Sequence, residues 1–122
     1  MTDTAVELVK GKHILVVEDE YLVAADLSDT LQEMGATVIG PFSSVQEALT
    51  AVTSVEQLDA ATLDVTLGQE KSFGVAEALQ KRGVPFVLLT GYDDGSLPET
   101  LRDVPRCDKP FDVSKLVNAL FG

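Results

Sequence analysis

The chain has 122 residues, 20 of them acidic and 9 basic, for a net charge of −11. That balance argues against direct nucleic-acid binding, which needs a basic footprint, and the length suits one domain with a full core. No apolar run approaches a membrane span, no signal peptide is visible, and the single cysteine, Cys107, allows neither an intramolecular disulfide nor a cysteine metal cage; a cytoplasmic protein is expected.

In chain order, residues 1–11 read as a short polar lead-in, expected to fray, ahead of one domain over residues 12–122. His13-Ile14-Leu15-Val16-Val17 is a continuous β-rich run, the pattern of a strand buried on both faces, and it ends in Glu18-Asp19-Glu20. From Tyr21 the period turns helical, with Leu22, Ala25, Leu27, Leu31 and Met34 recurring and Gly35 as the stop. Thr37 to Gly40 is a short strand broken by Pro41, and Ser43 or Ser44 can cap a helix with Ala48, Leu49 and Val52 inward.

Ala60-Ala61-Thr62-Leu63 is a third buried strand, ending in a single carboxylate, Asp64. A loop through Gly68 leads to a helix over 74–82 with Val75, Ala78 and Leu79 inward, and Gly83 ends it. Val84 to Thr90 is a fourth buried strand, with Pro85 at its start, where a missing N–H is tolerated. Residues 98–103 read as a weak helix, Pro105 to Asp108 as a brief fifth strand, and Val113 to Phe121 as the last helix. Strands alternating with helices indicate a parallel sheet covered on both faces. The fold class is α/β, a doubly wound five-stranded sheet of flavodoxin-like order 2-1-3-4-5.

Ligands in such sheets sit outside the carboxyl ends of the strands. Those ends deliver Glu18 and Asp19, Asp64, Thr90, and Lys109 followed by Pro110. Converging carboxylates cannot all stay charged without a cation. A few oxygen ligands completed by water suit Mg²⁺. Lys109 would set a point charge on a phosphoryl group, Thr90 would donate a hydrogen bond to it, and Asp64 is free to attack phosphorus. His13 starts its strand at the opposite edge, so it provides no base for Cys107, which reads as a strand residue.

Glu18-Asp19, Asp64, Thr90 and Lys109-Pro110-Phe111, each following an apolar strand, resemble the receiver domain of two-component response regulators, from His13 to Gly122. The resemblance implies a single-domain receiver that takes a phosphoryl group from a sensor histidine kinase onto Asp64, and loses it slowly to water, acting as a switch or phosphate sink. It implies Mg²⁺ on Asp19, Glu18 (through water), Asp64 and the backbone carbonyl of Thr66. It makes Thr90 the switch hydroxyl and Lys109 the phosphate-binding lysine, and it puts a cis peptide before Pro110. Turnover of a small metabolite is not expected.

Three departures from the family pattern stand out. Gly68 takes the place of the usual proline after the phosphoacceptor, in a loop that reads as longer and looser. Arg106 stands where an aromatic residue often sits. Thr90-Gly91-Tyr92 resembles the FAT GUY subclass, which is associated with alphaproteobacteria and with kinases of the HWE and related types. With Gly91 and Gly95 adding backbone freedom, 91–103 is expected to be poorly ordered until phosphorylation orders it. Partners would be the kinase, and a histidine phosphotransfer protein or a downstream target met through Tyr92, Leu97, Arg102 and Arg106; no direct nucleic acid and no membrane are expected. Three other readings fit less well. A haloacid-dehalogenase-type phosphotransferase needs an Asp-x-Asp motif after the first strand. A pseudo-receiver would not carry the whole site set. A flavodoxin-like phosphate loop would be repelled by Glu18-Asp19-Glu20.

Overall fold

A computed structural model describes residues 3–91 and 94–122. The chain opens with a helix rather than a frayed lead-in: α1 (Asp3–Val9) has Ala5 and Val9 buried to 1% and 0% exposure. Both pack beside Leu116 and Val117 of the last helix. Polar residues disguise this short helix, and tertiary packing rather than propensity makes it. Val9→Ala, which removes two buried methyl groups, should therefore cost about 2 kcal/mol in urea unfolding. A frayed segment would show no change.

Next come β1 (His13–Val17), α2 (Tyr21–Glu33), β2 (Thr37–Phe42), α3 (Val45–Ser54) and β3 (Ala60–Asp64). They are followed by β4 (Thr66–Leu67), β5 (Glu70–Lys71), α4 (Phe73–Arg82), β6 (Phe86–Thr90), a 3₁₀ turn (Glu99–Leu101), β7 (Arg106–Asp108) and α5 (Val113–Phe121). The main sheet runs β2-β1-β3-β6-β7 with all pairs parallel. Because β4 and β5 form a separate two-stranded ladder, this is the expected 2-1-3-4-5 order. Alternation along the strands splits the core. Leu15, Val17, Ala61, Leu63, Phe86 and Leu88 face α3 and α4. Ile14, Val16, Ala60, Val87 and Leu89 face α1, α2 and α5.

Local chemistry sets the boundaries. Ser44 caps α3: its hydroxyl accepts from the Glu47 amide at 3.2 Å and donates to the Glu47 carboxylate at 3.1 Å. Gly83 ends α4 in the left-handed conformation, φ 74°. β2 does not stop at Pro41. It runs on to Phe42 as an edge strand, with a register shift opposite Leu15 and Val17, and edge strands tolerate proline. The peptide bonds before Pro41 and Pro110 are both cis, the second as expected.

Several expectations change here. The loop after Asp64 is not loose: β4 and β5 make an antiparallel hairpin. Gly68, φ 63°, sits at its first turn position, where a type II′ turn needs glycine. Leu22 does not face the core; it is 79% exposed beside Tyr21 at 82%, while Ala24, Leu27, Ser28 and Leu31 form the buried stripe. Likewise Ala51 and Ala76 are buried where Leu49 and Ala78 are half-buried. Residues 98–103 supply one 3₁₀ turn, with Leu101 buried and Leu97 packed against the core. Tyr92 lies outside the described residues; Arg102 and Arg106 are exposed. Among the described residues no helix is long and apolar enough to cross a membrane.

Candidate functional site

β3 is buried along its whole length and carries Asp64 at its carboxyl end, 2% exposed. β1 runs parallel beside it and is followed by Glu18, also 2% exposed, and by the exposed Asp19. The sheet thus brings Glu18, Asp19 and Asp64 together, with one carboxylate oxygen of each within 4.8 Å of the others. Lys109, just past β7, reaches across. Its Nζ lies 2.9 Å from Glu18 Oε1, 2.9 Å from Glu20 Oε1 and 3.1 Å from Asp64 Oδ2. Glu20, visible in the sequence only as part of an acidic run, is an added partner.

Burial, then the hydrogen bond and charge of Glu18, push the Asp64 carboxyl up to about 9 against the opposing pull of Lys109. Burial works to lower the Lys109 ammonium, but the Glu18, Glu20 and Asp64 carboxylates outweigh it and hold the group above its ordinary range. Asp64 Oδ1 is buried and accepts no hydrogen bond among the described residues. Two buried carboxylates, one exposed carboxylate and an orphaned oxygen suit a small hard cation.

Thr90 is at the right strand end, but its hydroxyl is turned aside. It donates to Asp108 Oδ1 and lies 3.4 Å from the Cys107 carbonyl oxygen. Thr66 stands two residues beyond Asp64; its hydroxyl donates to Asp94 Oδ1 at 2.8 Å and accepts from Lys71 Nζ at 2.9 Å. Ser72, which the sequence reading did not single out, is fully buried. Its hydroxyl donates to the Asp64 carbonyl and sits 3.1 Å from the Val65 carbonyl, tying the end of the hairpin to the end of β3. Asp19 accepts from the Gly68 amide at 2.7 Å, so the hairpin tip also touches the acidic cluster. Only a serine immediately before a helical period hinted at Ser72. Cys107 lies in β7 as expected, its thiol pushed up by burial and by Asp108. His13 is at the far end of β1, its ring 3.6 Å from Asp59. A cleft of about 550 Å³ opens beside the acidic cluster, between Leu22 and Val23 of α2 and Lys109, Phe111 and Val113.

This fold, with these strand-end residues, is that of a receiver domain, and the chain belongs to the response regulator receiver domain family, which matches residues 14–121. Phosphoryl acceptance is the standard function of this domain; histidine kinases supply the group, and an acidic pocket of this kind binds Mg²⁺. It is a signalling domain. The chain is similar to SdrG from Sphingomonas melonis Fr1 in a solution structure, with 43% identity, a TM-score of 0.79, and coverage of 93% of this chain and 98% of that one. It is similar also to the BeF3-activated conformation of SdrG from Pseudomonas melonis Fr1, at 45% identity and TM-score 0.74, covering 90% and 96%. The FAT GUY resemblance fits these relatives.

Two curated proteins extend the comparison. The transcriptional regulatory protein PdtaR of Mycobacterium tuberculosis is 31% identical over 113 residues, 89% of this chain and 55% of that protein. The phyllosphere-induced regulator PhyR of Methylorubrum extorquens is 29% identical over 115 residues, 88% of this chain and 43% of that protein. The chain spans about half the length of the curated relatives it matches.

Proposed function

We propose that Asp64 is the phosphoacceptor of this receiver, working with Mg²⁺, Lys109 and Thr90. The observation that carries this is the convergence of the Lys109 ammonium, within 3.1 Å, on Glu18 and Asp64, beside the exposed Asp19. Glu18, Asp19, Asp64 and the Thr66 carbonyl would hold the cation. Bound there, it would neutralise charge on the incoming phosphoryl group.

An Asp64 carboxylate oxygen attacks the phosphorus of a phosphohistidine. The new P–O bond forms as the P–N bond breaks, and the imidazole nitrogen keeps the electron pair. Burial favours the protonated Asp64, and a cation held by these residues would favour the carboxylate that attacks. Lys109 then exchanges a carboxylate partner for a phosphoryl oxygen. Thr90 turns from Asp108 to donate to another, and water later hydrolyses the acyl phosphate.

The donor is read as a sensor histidine kinase of HWE type, in the cytoplasm. The cleft beside Lys109, lined by the exposed Leu22, suits the helix bearing the phosphohistidine. Onward passage to a histidine phosphotransfer protein, a protein target or simple hydrolysis would complete the signal.

Incubation with acetyl phosphate followed by intact mass tests the core of this reading. One added phosphoryl group is expected, dependent on Mg²⁺ and absent from Asp64→Asn. An adduct that survives in that variant would place the chemistry elsewhere.

A further inference from the structure

The Asp94 carboxylate ties the backbone just past Thr90 to the hairpin that follows Asp64. Asp94 Oδ2 accepts from the Gly91 amide, the residue directly after Thr90. Asp94 Oδ1 accepts from the Thr66 hydroxyl at 2.8 Å, across 28 residues of chain. Lys71, at the end of the β4–β5 hairpin, closes the network: its Nζ donates to Thr66 Oγ1 at 2.9 Å and lies 3.4 Å from the Asp94 carbonyl and 3.9 Å from Asp94 Oδ1. The Asp94 side chain is only 14% exposed, and its bond to Thr66 is partly buried.

In the same structure the Thr90 hydroxyl points to Asp108 rather than toward Asp64. β6 pairs with β3 so that Leu89 sits opposite Asp64. Gly91 is therefore at the same sheet edge as the acidic cluster. A backbone N–H at such an edge is an anion donor. Here an internal carboxylate already occupies it.

We propose that Asp94 is a positioning residue for phosphoryl transfer. Its carboxylate stands in for a phosphoryl oxygen on the Gly91 amide and pins the end of β6 with the Thr90 hydroxyl turned away. The inference rests on Asp64 being the acceptor. A phosphoryl group on Asp64 would bring close to two negative charges to this edge. It would repel Asp94 and compete for the same donor. Release of Asp94 loosens the Thr90–Gly91 peptide, so that the Thr90 hydroxyl can leave Asp108 and turn inward, and it also frees Thr66 and Lys71, so the hairpin changes with the loop. The bistable element is the set of bonds made by one side chain, and the phosphoryl group has differential contacts with its two arrangements.

Asp94→Ala and Thr66→Val test this, with acetyl phosphate and Mg²⁺ as the probe. The rate of adduct formation by mass should rise about threefold or more in Asp94→Ala, and by less in Thr66→Val. The double variant should match Asp94→Ala alone, because both residues act through one contact. The Thr90 rotamer, read from three-bond couplings of its methyl carbon in unphosphorylated protein, should shift from one population to two in Asp94→Ala.

A merely structural Asp94 would lower stability and leave that rotamer unchanged. An unchanged or slower rate with the wild-type rotamer would overturn the proposal. Should the wild-type protein take no phosphoryl group, the acceptor assignment is what fails, and the Thr90 couplings alone then decide the role of Asp94. Asp94→Asn serves where the alanine variant does not fold; it keeps an oxygen for Gly91 but loses the charge facing Lys71, and an intermediate shift is expected.

Discussion

Asp64→Asn should raise the melting temperature of the metal-free protein. The buried Asp64 carboxyl is pushed up to about 9, first by desolvation and then by Glu18. The unfolded chain releases this proton near the ordinary 3.8, whereas the folded chain keeps it. Folded stability therefore falls as pH rises from about 4 to about 9, and the contribution is fully present only below the lower value. An amide needs no proton there. A gain on the order of 1–3 kcal/mol at pH 8, roughly 4–12 °C by calorimetry, is expected. The gain should shrink toward pH 5 and shrink again with saturating Mg²⁺, which stabilises only the carboxylate form. A lower melting temperature at pH 8 without metal would show that Asp64 is held charged by Lys109 at no net cost.

Lys109→Met should act in the opposite direction. The Lys109 ammonium is the common partner of Glu18, whose side chain is fully buried, and of Asp64, at 3% exposure. Methionine keeps the apolar stem but leaves the buried Glu18 and Asp64 carboxyl groups without their cation. Removing one partner of a buried pair costs about 3–5 kcal/mol. The raised ammonium contributes in full below its ordinary value of 10.5 and is lost only as pH rises through the still higher folded value, so the wild-type contribution is flat across neutral pH. Urea midpoints at pH 5 and 8 measure the loss, which should be similar at both, because folded Asp64 keeps its proton across that range. Adding Asp64→Asn to Lys109→Met should recover part of the loss, because an amide needs no proton and can donate to Glu18.

These two variants also mark what could be read from sequence. Apolar runs ending in Glu18-Asp19, Asp64 and Thr90 are long-range information written locally: a buried parallel strand declares itself by composition, and its last residue must lie at the sheet edge. Sheet order and acidic cluster were legible for that reason. The direction of the Thr90 hydroxyl was not, because it depends on Asp108, which β7 brings alongside only in the fold. The Asp94–Thr66–Lys71 network was hidden for the same reason; its members lie on two loops that no sequence period connects.

The misplaced Leu22 has a simpler cause. Spacing places it on the stripe of α2, but the first turn of that helix lies at the sheet edge that carries the site, where Leu22 lines the open cleft beside Lys109. The hairpin after Asp64 escaped notice because its ladders are two residues long and one of them, Glu70–Lys71, is fully polar.

The first helix bears on how fragments of this protein should be cut. The family match begins at residue 14, so a fragment trimmed to it would open directly on β1. Such a piece keeps the acidic cluster and Lys109, yet it uncovers apolar side chains of α5 that Ala5 and Val9 normally shield. The newly bare patch would look for another cover, and self-association of the trimmed piece would then report a missing lid, not a property of the signalling switch.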